Sequence, residues 1–425
     1  MKNSTKLKPT ISLWSATTIN IGAIIGSGIF VAVGVAASSA GSALAISMAI
    51  AAAVAALTAL SFAELASWKP AEGSVYAYAY ELVSPFAGFI TGWMWLASNT
   101  FAGAAVALGF ASYFSTFAPN LPVNTIAALL CLIFAATNFV GTRQSTLINN
   151  VLVTAKLTVL VFFIIFGLLH VNAANYAPFT PFSGGTLLGV YFVFFAYAGF
   201  ARVVVLAEEI KDAKRNVPKA VLLSLAISTI VYILVGLVAV GLAGATTLAD
   251  SHSPLADAIN ITGNTLAVQV VSFGGLVATA SVLLTSILGV SRVAYAMAKR
   301  RDMPQWLSKL HGRFGTPYYS IWLTGVVMAL LVLLIDLKQV VAISTFAILF
   351  YYAIANLAAF KLHSTNRRFH RSLSILGFAS CLAFLLISVF VSLQTWISGV
   401  TCLASGIIAY AIKCWMVKHR LEIKV

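Results

Sequence analysis

Long apolar runs dominate the chain and return at nearly regular intervals. A run of roughly 20 apolar residues is long enough to cross a bilayer as a helix. Polar loops separate such runs here, near residues 12–38, 43–66, 85–117, 122–140, 147–170, 185–209, 219–244, 265–297, 319–336, 339–360, 373–392 and 394–416. The pattern predicts an all-α polytopic membrane protein with about twelve transmembrane helices, which form a single membrane domain over residues 1–425.

Composition and charge agree with a membrane protein. Hydrophobic residues make up 60% of the chain, charged residues 9%, and the mean hydropathy is +0.97. The net charge of +15 would suit nucleic acid, but most lysines and arginines fall in the tails and in every second loop, and the alternate loops carry only Lys338. By the positive-inside rule, we expect both termini in the cytoplasm, a basic surface that faces anionic lipid, and no nucleic-acid partner.

Small residues lie at the centre of the first span, where Ile25 is followed by Gly26, Ser27 and Gly28. A helix interrupted at this depth leaves backbone N–H and C=O groups without partners unless they line a cavity. The half-helix beyond Gly28 offers N–H groups to a carboxylate, and the half-helix before the break offers carbonyl groups to an ammonium. This polarity indicates a zwitterionic α-amino acid as the ligand. Close helix packing is the alternative use of these glycines.

The sixth span contains a matching interruption at Ala198 and Gly199, next to the polar Tyr197. Phe194 and Phe195 precede it. We predict that these five residues and the break in the first span form the substrate site, with at least one of the aromatic side chains closing over the substrate. Core packing is the alternative role for the aromatic residues.

Two broken spans that are five apart indicate a five-plus-five inverted repeat with the binding site at the repeat interface. The first repeat is expected over about residues 12–170 and the second over 185–360. Residues 373–416 then add two further helices.

Seven motifs resemble those of the amino acid–polyamine–organocation permeases. They are IGAIIGSGIF (21–30), SFAELASWKPAEGSVYAYAYE (61–81), FITGW (89–93), NFVGTRQS (138–145), FFAYAGF (194–200), AEEIKDAKRNVPKA (207–220) and GVSRVAYAMAKRRDMPQWL (289–307). The resemblance extends in this order over residues 10–320. It implies a LeuT-type fold with discontinuous first and sixth helices, alternating access, and amino acids or related amines as cargo.

The sixth-span motif departs from the family at one position. Many members place an acidic residue directly after its Gly-Phe, whereas Ala201 and then Arg202 follow here. This difference favours neutral over cationic amino acids as cargo. We expect Arg202 to pair with Glu208, Glu209 or Glu64 in a cytoplasmic gate. Direct contact with the substrate is the alternative role for Arg202. A solvated helix end with alternating charges is the alternative for the two glutamates at 208 and 209.

Lys156 lies about nine residues into the fifth span, or roughly 13 Å deep at 1.5 Å per residue. A lysine at that depth is costly, and its side chain does not comfortably reach the interface. The resemblance implies that the fifth span passes beside the first and eighth spans, where a lysine can replace the sodium ion of sodium-coupled relatives. Desolvation makes the neutral amine accessible, so we predict proton coupling at Lys156 with Ser281 as its hydroxyl neighbour. A Ser281 hydroxyl bonded to its own helix is the alternative.

Together these features predict a secondary transporter of the plasma (inner) membrane that moves neutral amino acids by proton symport. Amino-acid exchange, transport of cationic amino acids or polyamines, and a non-transporting amino-acid sensor are the alternatives. The sequence has no Walker motif, metal-ligand cluster or catalytic dyad. We therefore expect neither an enzyme nor an ATP-driven pump, and neither a cofactor nor a bound metal. A monomer or a homodimer is expected.

Overall fold

The computed structural model describes residues 11–69, 74–140, 146–205, 207, 210–363 and 367–422, and within these ranges the side chains of residues 27, 74, 146–149, 202, 205 and 417–422 are not described. Its helices are α1 (Leu13–Ile24), α2 (Ser27–Ala40), α3 (Leu44–Trp68), α4 (Ser74–Leu82), α5 (Pro85–Phe114), α6 (Val123–Val140), α7 (Thr146–Leu168), α8 (Gly184–Tyr197), α9 (Arg202–Val205), α10 (Ala213–Asp250), α11 (Pro254–Asn260), α12 (Thr265–Lys299), α13 (Tyr318–Leu334), α14 (Leu337–Lys361), α15 (Arg371–Val391) and α16 (Leu393–Glu422). Short 3₁₀ turns lie at Gly41–Ala43, Ala173–Tyr176, Ala198–Ala201 and Gln305–Ser308.

Ten helical stretches of the described chain are long and apolar enough to cross a membrane. They are Gly28–Trp68, Pro85–Phe114, Val123–Val140, Asn150–Leu168, Gly184–Ala201, Ala213–Asp250, Thr265–Lys299, Leu337–Lys361, Arg371–Val391 and Leu393–Met416. Tyr318–Leu334 is a shorter apolar helix. The all-helical prediction is confirmed for these residues, and the chain has the character of a polytopic membrane protein. The number of twelve spans stays a prediction.

Two short helices and one long kinked helix were not predicted from hydropathy. α4 and α11 are too short to form a span, so a search for long apolar runs does not find them. α10 extends beyond the predicted 219–244 at both ends. It bends at Gly244, where φ is +73°, a conformation that glycine adopts without a steric penalty.

The interrupted helices lie in the middle of the bundle. α8 packs against α2, α3 and α14, and α10 packs against α1 and α3. α5 packs against α12 and α14 on the other side. α16 is peripheral and exposes Ile408, Ile412 and Trp415, which suits a helix that faces lipid. The breaks are therefore enclosed by α3, α7, α10, α12 and α14.

Two hydrogen bonds join segments that are distant in sequence at one end of the bundle. We call this end, which contains Ile11, Ser67, Lys211 and Lys214, the basic end. The N–H of Lys211 donates to the carbonyl oxygen of Ile11 at 2.9 Å. Ser67 Oγ donates to the carbonyl oxygen of Lys214 at 3.2 Å. These contacts hold the start of α1, the end of α3 and the start of α10 together.

A buried carboxylate joins three elements near the same end. Asp302, which follows α12, is 6% exposed. Tyr76 in α4 donates a hydrogen bond to it, and Lys413 in α16 forms an ion pair with it. Burial and this hydrogen bond raise the pKa of Tyr76, so the hydroxyl stays protonated and acts as a donor.

Candidate functional site

The break in the first span lies between α1 and α2. α1 ends at Ile24 and α2 begins at Ser27, and Gly26 has φ −129° and ψ −131°, outside the helical region. The N–H of Ile25 donates to Ile21 O at 2.7 Å, and the N–H of Gly26 donates to Ile24 O at 2.9 Å. Because Gly26 has no side chain, α2 begins without a side-chain cap. The first turn of α2 therefore presents a positive dipole end to its surroundings.

The break in the sixth span is a change of helix type. α8 ends at Tyr197, the 3₁₀ turn Ala198–Ala201 follows, and the four-residue α9 begins at Arg202. Tyr352 in α14 donates its hydroxyl hydrogen to the carbonyl oxygen of Ala198 at 2.8 Å. A 3₁₀ turn changes the pattern of backbone hydrogen bonds, so carbonyl groups in this segment become available to side chains.

Glycines bring the two breaks into direct contact. A Cβ atom added to Gly28 would lie 2.4 Å from Ala196 Cα, and one added to Gly199 would lie 2.2 Å from the carbonyl oxygen of Ala23. Real Cβ atoms do not approach other heavy atoms so closely, so both positions require glycine in this conformation. The backbones of the two broken helices therefore touch where the substrate was predicted to bind.

Gly26 has a different neighbour. A Cβ atom added there would lie 2.3 Å from Val282 Cγ2, in α12. Protein atoms thus fill the space beside Gly26, Gly28 and Gly199. In this conformation the glycines permit close helix packing, which was the alternative to ligand binding. A ligand that binds between the breaks requires them to move apart.

One tyrosine is hydrogen-bonded to both breaks. The hydroxyl of Tyr232, in α10, lies 2.6 Å from Ile24 O and 3.1 Å from Ala196 O, and its side chain is fully buried. A hydroxyl carries a single hydrogen, so the two carbonyl oxygens share it. Tyr232 was not predicted from the sequence, although a polar side chain at the centre of an apolar span is a usable signal.

Lys156 contacts the same end of α1. It is 2% exposed, and Nζ lies 3.4 Å from the carbonyl oxygen of Gly22. The carbonyl groups predicted to bind an ammonium are therefore close to hydrogen-bond donors of neighbouring helices. Ser281 Oγ donates to Ala278 O at 3.0 Å. The hydroxyl is therefore bonded to its own helix, as in the alternative given for this serine.

Aromatic side chains pack around the second break. Phe194 is buried and meets Tyr352 edge to face, with ring centroids 6.0 Å apart. Phe62 in α3 lies 5.4 Å from the Tyr352 ring and 5.7 Å from the Phe200 ring. We call Phe62, Phe194, Phe200 and Tyr352 the aromatic cluster. The sequence pattern pointed to Phe194 but missed the other three members.

The remaining predicted aromatic residues are also enclosed. Phe195 is 6% exposed, and Tyr197 is fully buried. Tyr197 Oη donates to the carbonyl oxygen of Met48, in α3, at 3.2 Å. Both side chains are part of the packed core in this conformation.

Asn20 links three helices on the basic-end side of the breaks. Its Nδ2 donates to Ser224 Oγ in α10 at 2.6 Å, and its Oδ1 accepts from the N–H of Val203 in α9 at 3.2 Å. Asn20 is fully buried. Its amide therefore holds α1, α9 and α10 together, a role that was not predicted from the sequence.

The predicted gate lies mostly outside the described residues. The side chain of Arg202 and the whole of Glu208 and Glu209 belong to that part. Glu64, the other acidic partner considered for Arg202, accepts a hydrogen bond from the N–H of Phe369 at 3.0 Å.

Two surface concavities of the described chain lie outside the two breaks. One concavity lies at the basic end, along residues 367–371, and another lies on the side of α7, between Thr158 and Leu169. In the ranges that the structure describes, no group of three or more His, Cys, Asp or Glu residues is placed to hold a metal ion.

Known proteins resemble this chain over nearly its whole length. The family model described as amino acid permease matches residues 11–417. The chain is 32% identical over 414 residues to an uncharacterized transporter of Mycobacterium tuberculosis, covering 96% of this chain and 92% of the relative.

Relatives with a named cargo differ from one another. The methylthioribose transporter of Bacillus subtilis is 32% identical over 448 residues, covering 98% of this chain and 95% of that protein. The branched-chain amino acid permease of Bacillus subtilis is 29% identical over 377 residues, covering 84% and 81%. These proteins are transporters rather than enzymes. With the family model and the broken helices, they show that this chain belongs to the amino acid permease family.

Proposed function

We propose that this protein is a secondary active transporter that carries neutral amino acids by alternating access, in symport with protons. The observation that carries the proposal is the shared tyrosine: Tyr232 is hydrogen-bonded both to Ile24 O and to Ala196 O, at the carbonyl ends of two half-helices. Carbonyl oxygens at a helix end attract hydrogen-bond donors and positive charge. The ammonium group of an α-amino acid is such a donor, and the uncapped start of α2 suits its carboxylate.

The proposed architecture is a LeuT-type fold of twelve spans. It consists of two inverted five-helix repeats, at about residues 12–170 and 185–360, and two added helices at 373–416. Both termini lie in the cytoplasm, and the protein resides in the plasma (inner) membrane as a monomer or a homodimer. The interruptions at α1–α2 and α8–α9 support this arrangement, since they occur in spans five apart.

The proposed cycle begins with separation of the two breaks. Gly28 and Ala196 are in contact, so an incoming amino acid has to displace one broken helix from the other. Its ammonium then takes the place of the Tyr232 hydroxyl at Ile24 O or Ala196 O. The contacts of Asn20 close the path on the basic-end side, and their rupture opens it.

The substrate class rests on the side chains around the second break. The aromatic cluster provides an apolar surface, and Ala201 stands where many family members carry an acidic residue. An apolar surface without a carboxylate favours a neutral side chain, because a buried cationic group needs a partner. Neutral amino acids are therefore the proposed cargo, and cationic amino acids or polyamines are the alternative.

Proton coupling rests on Lys156. Its ammonium lies near Gly22 O, at the end of α1 that has to move during the cycle. A change in the protonation of Lys156 would therefore change how strongly α7 is attached to α1. A fixed charge at this position would instead produce an exchanger.

Uptake by purified protein in sodium-free liposomes tests the proposal. Labelled leucine, phenylalanine, alanine, lysine and putrescine are offered with and without an inward proton gradient. We expect gradient-driven accumulation of at least one neutral amino acid and none of lysine or putrescine. Lipid vesicles without protein provide the background.

The alternatives give different results in the same vesicles. An exchanger takes up label only when the vesicles contain unlabelled amino acid, and a cationic transporter prefers lysine or putrescine. A sensor binds an amino acid in a thermal-shift titration but transports none. Accumulation that requires sodium would exclude the proposed coupling.

A further inference from the structure

The concavity at the basic end is formed by five consecutive residues, Arg367, Arg368, Phe369, His370 and Arg371. Four of them carry basic or imidazole side chains, and Arg368, His370 and Arg371 are exposed. They occupy the connection between α14 and α15, far along the chain from the broken helices. The proposed transport function uses none of them.

A buried glutamate fixes the backbone of this segment. Glu64 in α3 is 3% exposed, and its Oε2 accepts hydrogen bonds from the N–H groups of Arg368 and Phe369, both at 3.0 Å. The Glu64 carboxylate is thus hydrogen-bonded to backbone N–H groups. Within the described part of the chain, neither Arg368 nor Arg371 takes part in an ion pair.

The neighbouring arginine is directed inward. Arg367 Nη1 donates to Ala359 O at 3.0 Å and to Leu362 O at 2.9 Å, so it caps the last carbonyl groups of α14. An arginine at a helix C-terminus interacts favourably with the helix dipole. The backbone of the segment is therefore anchored on both sides, by α3 and by α14, next to the exposed Arg368 and Arg371.

The start of α15 has an unfavourable distribution of charge. The helix begins at Arg371, has no acidic residue in its first turn, and is capped by His370, whose side chain accepts from the N–H of Ser372. Helix N-termini carry a partial positive charge and favour acidic residues or bound anions. Here arginines and the positive end of the helix dipole meet at one place. A bound anion would relieve this repulsion.

The position of the concavity indicates the source of the anion. Ile375 and Leu376, one turn into α15, are 49% and 54% exposed. Large exposed apolar side chains on a membrane helix face hydrocarbon, so the arginines one turn earlier lie where phospholipid headgroups begin. Arginine binds phosphate oxygens through two parallel N–H groups.

We propose that Arg368, Arg371 and the N-terminus of α15 bind the phosphate group of an anionic phospholipid. Such a lipid would stabilise the α14–α15 connection against α3. The proposal is independent of the transported substrate, because binding can be measured on the purified protein without any amino acid.

Lipid titration of the purified full chain in detergent tests the site. Phosphatidylglycerol, phosphatidylcholine and inorganic phosphate are added separately, and binding is followed by native mass spectrometry and thermal unfolding. We expect saturable binding of phosphatidylglycerol and a higher Tm, with little effect of phosphatidylcholine. The double variant Arg368→Gln/Arg371→Gln should bind phosphatidylglycerol about thirtyfold more weakly, since each basic residue near a membrane contributes about a fivefold step in affinity.

The matched control is Lys309→Gln/Arg313→Gln, which removes two charges from the exposed connection between α12 and α13. It should retain most of the binding. Equal loss in both double variants would show diffuse attraction to the whole surface and would overturn the proposal. Binding of inorganic phosphate as tight as that of the lipid would overturn the assignment to a lipid. If the Arg368/Arg371 variant does not fold, Arg371→Lys, which keeps the charge but loses the bidentate geometry, should weaken binding less than Arg371→Gln.

Discussion

The hydroxyl of Tyr232 lies 2.6 Å from the carbonyl oxygen of Ile24 and ties α10 to the end of the first half-helix. The same hydroxyl is 3.1 Å from Ala196 O, so one side chain holds both interrupted helices in the closed arrangement. If these carbonyl groups bind substrate, the tyrosine competes with it. That competition can be measured.

Tyr232→Phe should make substrate bind more tightly and the closed protein less stable. Loss of a buried donor costs about 1–3 kcal/mol and shifts the population towards open states, so we expect the Kd for the amino acid to fall by about fivefold or more. Kd is measured by scintillation proximity, and stability by thermal unfolding. Tyr191→Phe is the matched control, since Tyr191 is equally buried and donates to Ala342 O at 2.6 Å. The Tyr191→Phe variant should lose a similar amount of stability, and its Kd for the amino acid should not change. An unchanged Kd for Tyr232→Phe would contradict competition between the tyrosine and the substrate.

The glycines of the first break should differ in their tolerance of a methyl group. Gly28→Ala meets the backbone of Ala196, which cannot withdraw without moving α8, and should cost about 2–3 kcal/mol in thermal stability. The methyl group of Gly26→Ala meets the side chain of Val282, so adding Val282→Ala to this variant should restore its thermal stability. A double-mutant cycle on Gly26 and Val282 should give a coupling of about 1 kcal/mol or more. Additive effects would show that the two residues are not in contact in the solution state.

The side chain at position 156 should determine whether a proton gradient drives accumulation of the substrate. The wild type should accumulate substrate in a proton gradient without sodium, and Lys156→Ala should lose the response to pH. Lys156→Arg keeps a positive charge but cannot release its proton, so it should retain exchange and lose accumulation. Both activities are measured in vesicles with and without internal amino acid. An arginine variant that still accumulates substrate would show that the residue at position 156 does not carry the coupling proton.

The ion pair between Asp302 and Lys413 should contribute much more stability than an exposed pair. Lys413→Met leaves a buried carboxylate without its cation and should lower the unfolding free energy by about 3 kcal/mol, whereas Lys413→Met/Asp302→Asn should recover most of that loss. Lys69 and Glu81 form the control pair, with side chains 49% and 43% exposed. Lys69→Met should cost less than about 1 kcal/mol. Similar losses in the two single variants would contradict a special role for burial.

Local features of the sequence were sufficient to predict the membrane class and the positions of the breaks. Apolar runs separated by polar loops specify spanning helices wherever they occur, because an unpaired backbone cannot remain in hydrocarbon. The small residues at Gly26, Gly28 and Gly199 marked interruptions for an equally local reason, since they permit close approach and non-helical backbone. The seven motifs indicated the family, which the match over residues 11–417 establishes.

The partners of those residues were decided by the tertiary structure. Ile24 O, Ala196 O and the Tyr232 hydroxyl come from three different spans, and periodicity within one span does not state which neighbour it meets. The roles of Asn20 and Glu64 could not be predicted from the sequence for the same reason, since each side chain accepts a hydrogen bond from a backbone N–H distant in sequence. Hydropathy determines that a helix enters the membrane. Which polar groups it pairs with there depends on how the helices pack, because only their packing brings donors and acceptors within 3 Å or so of each other.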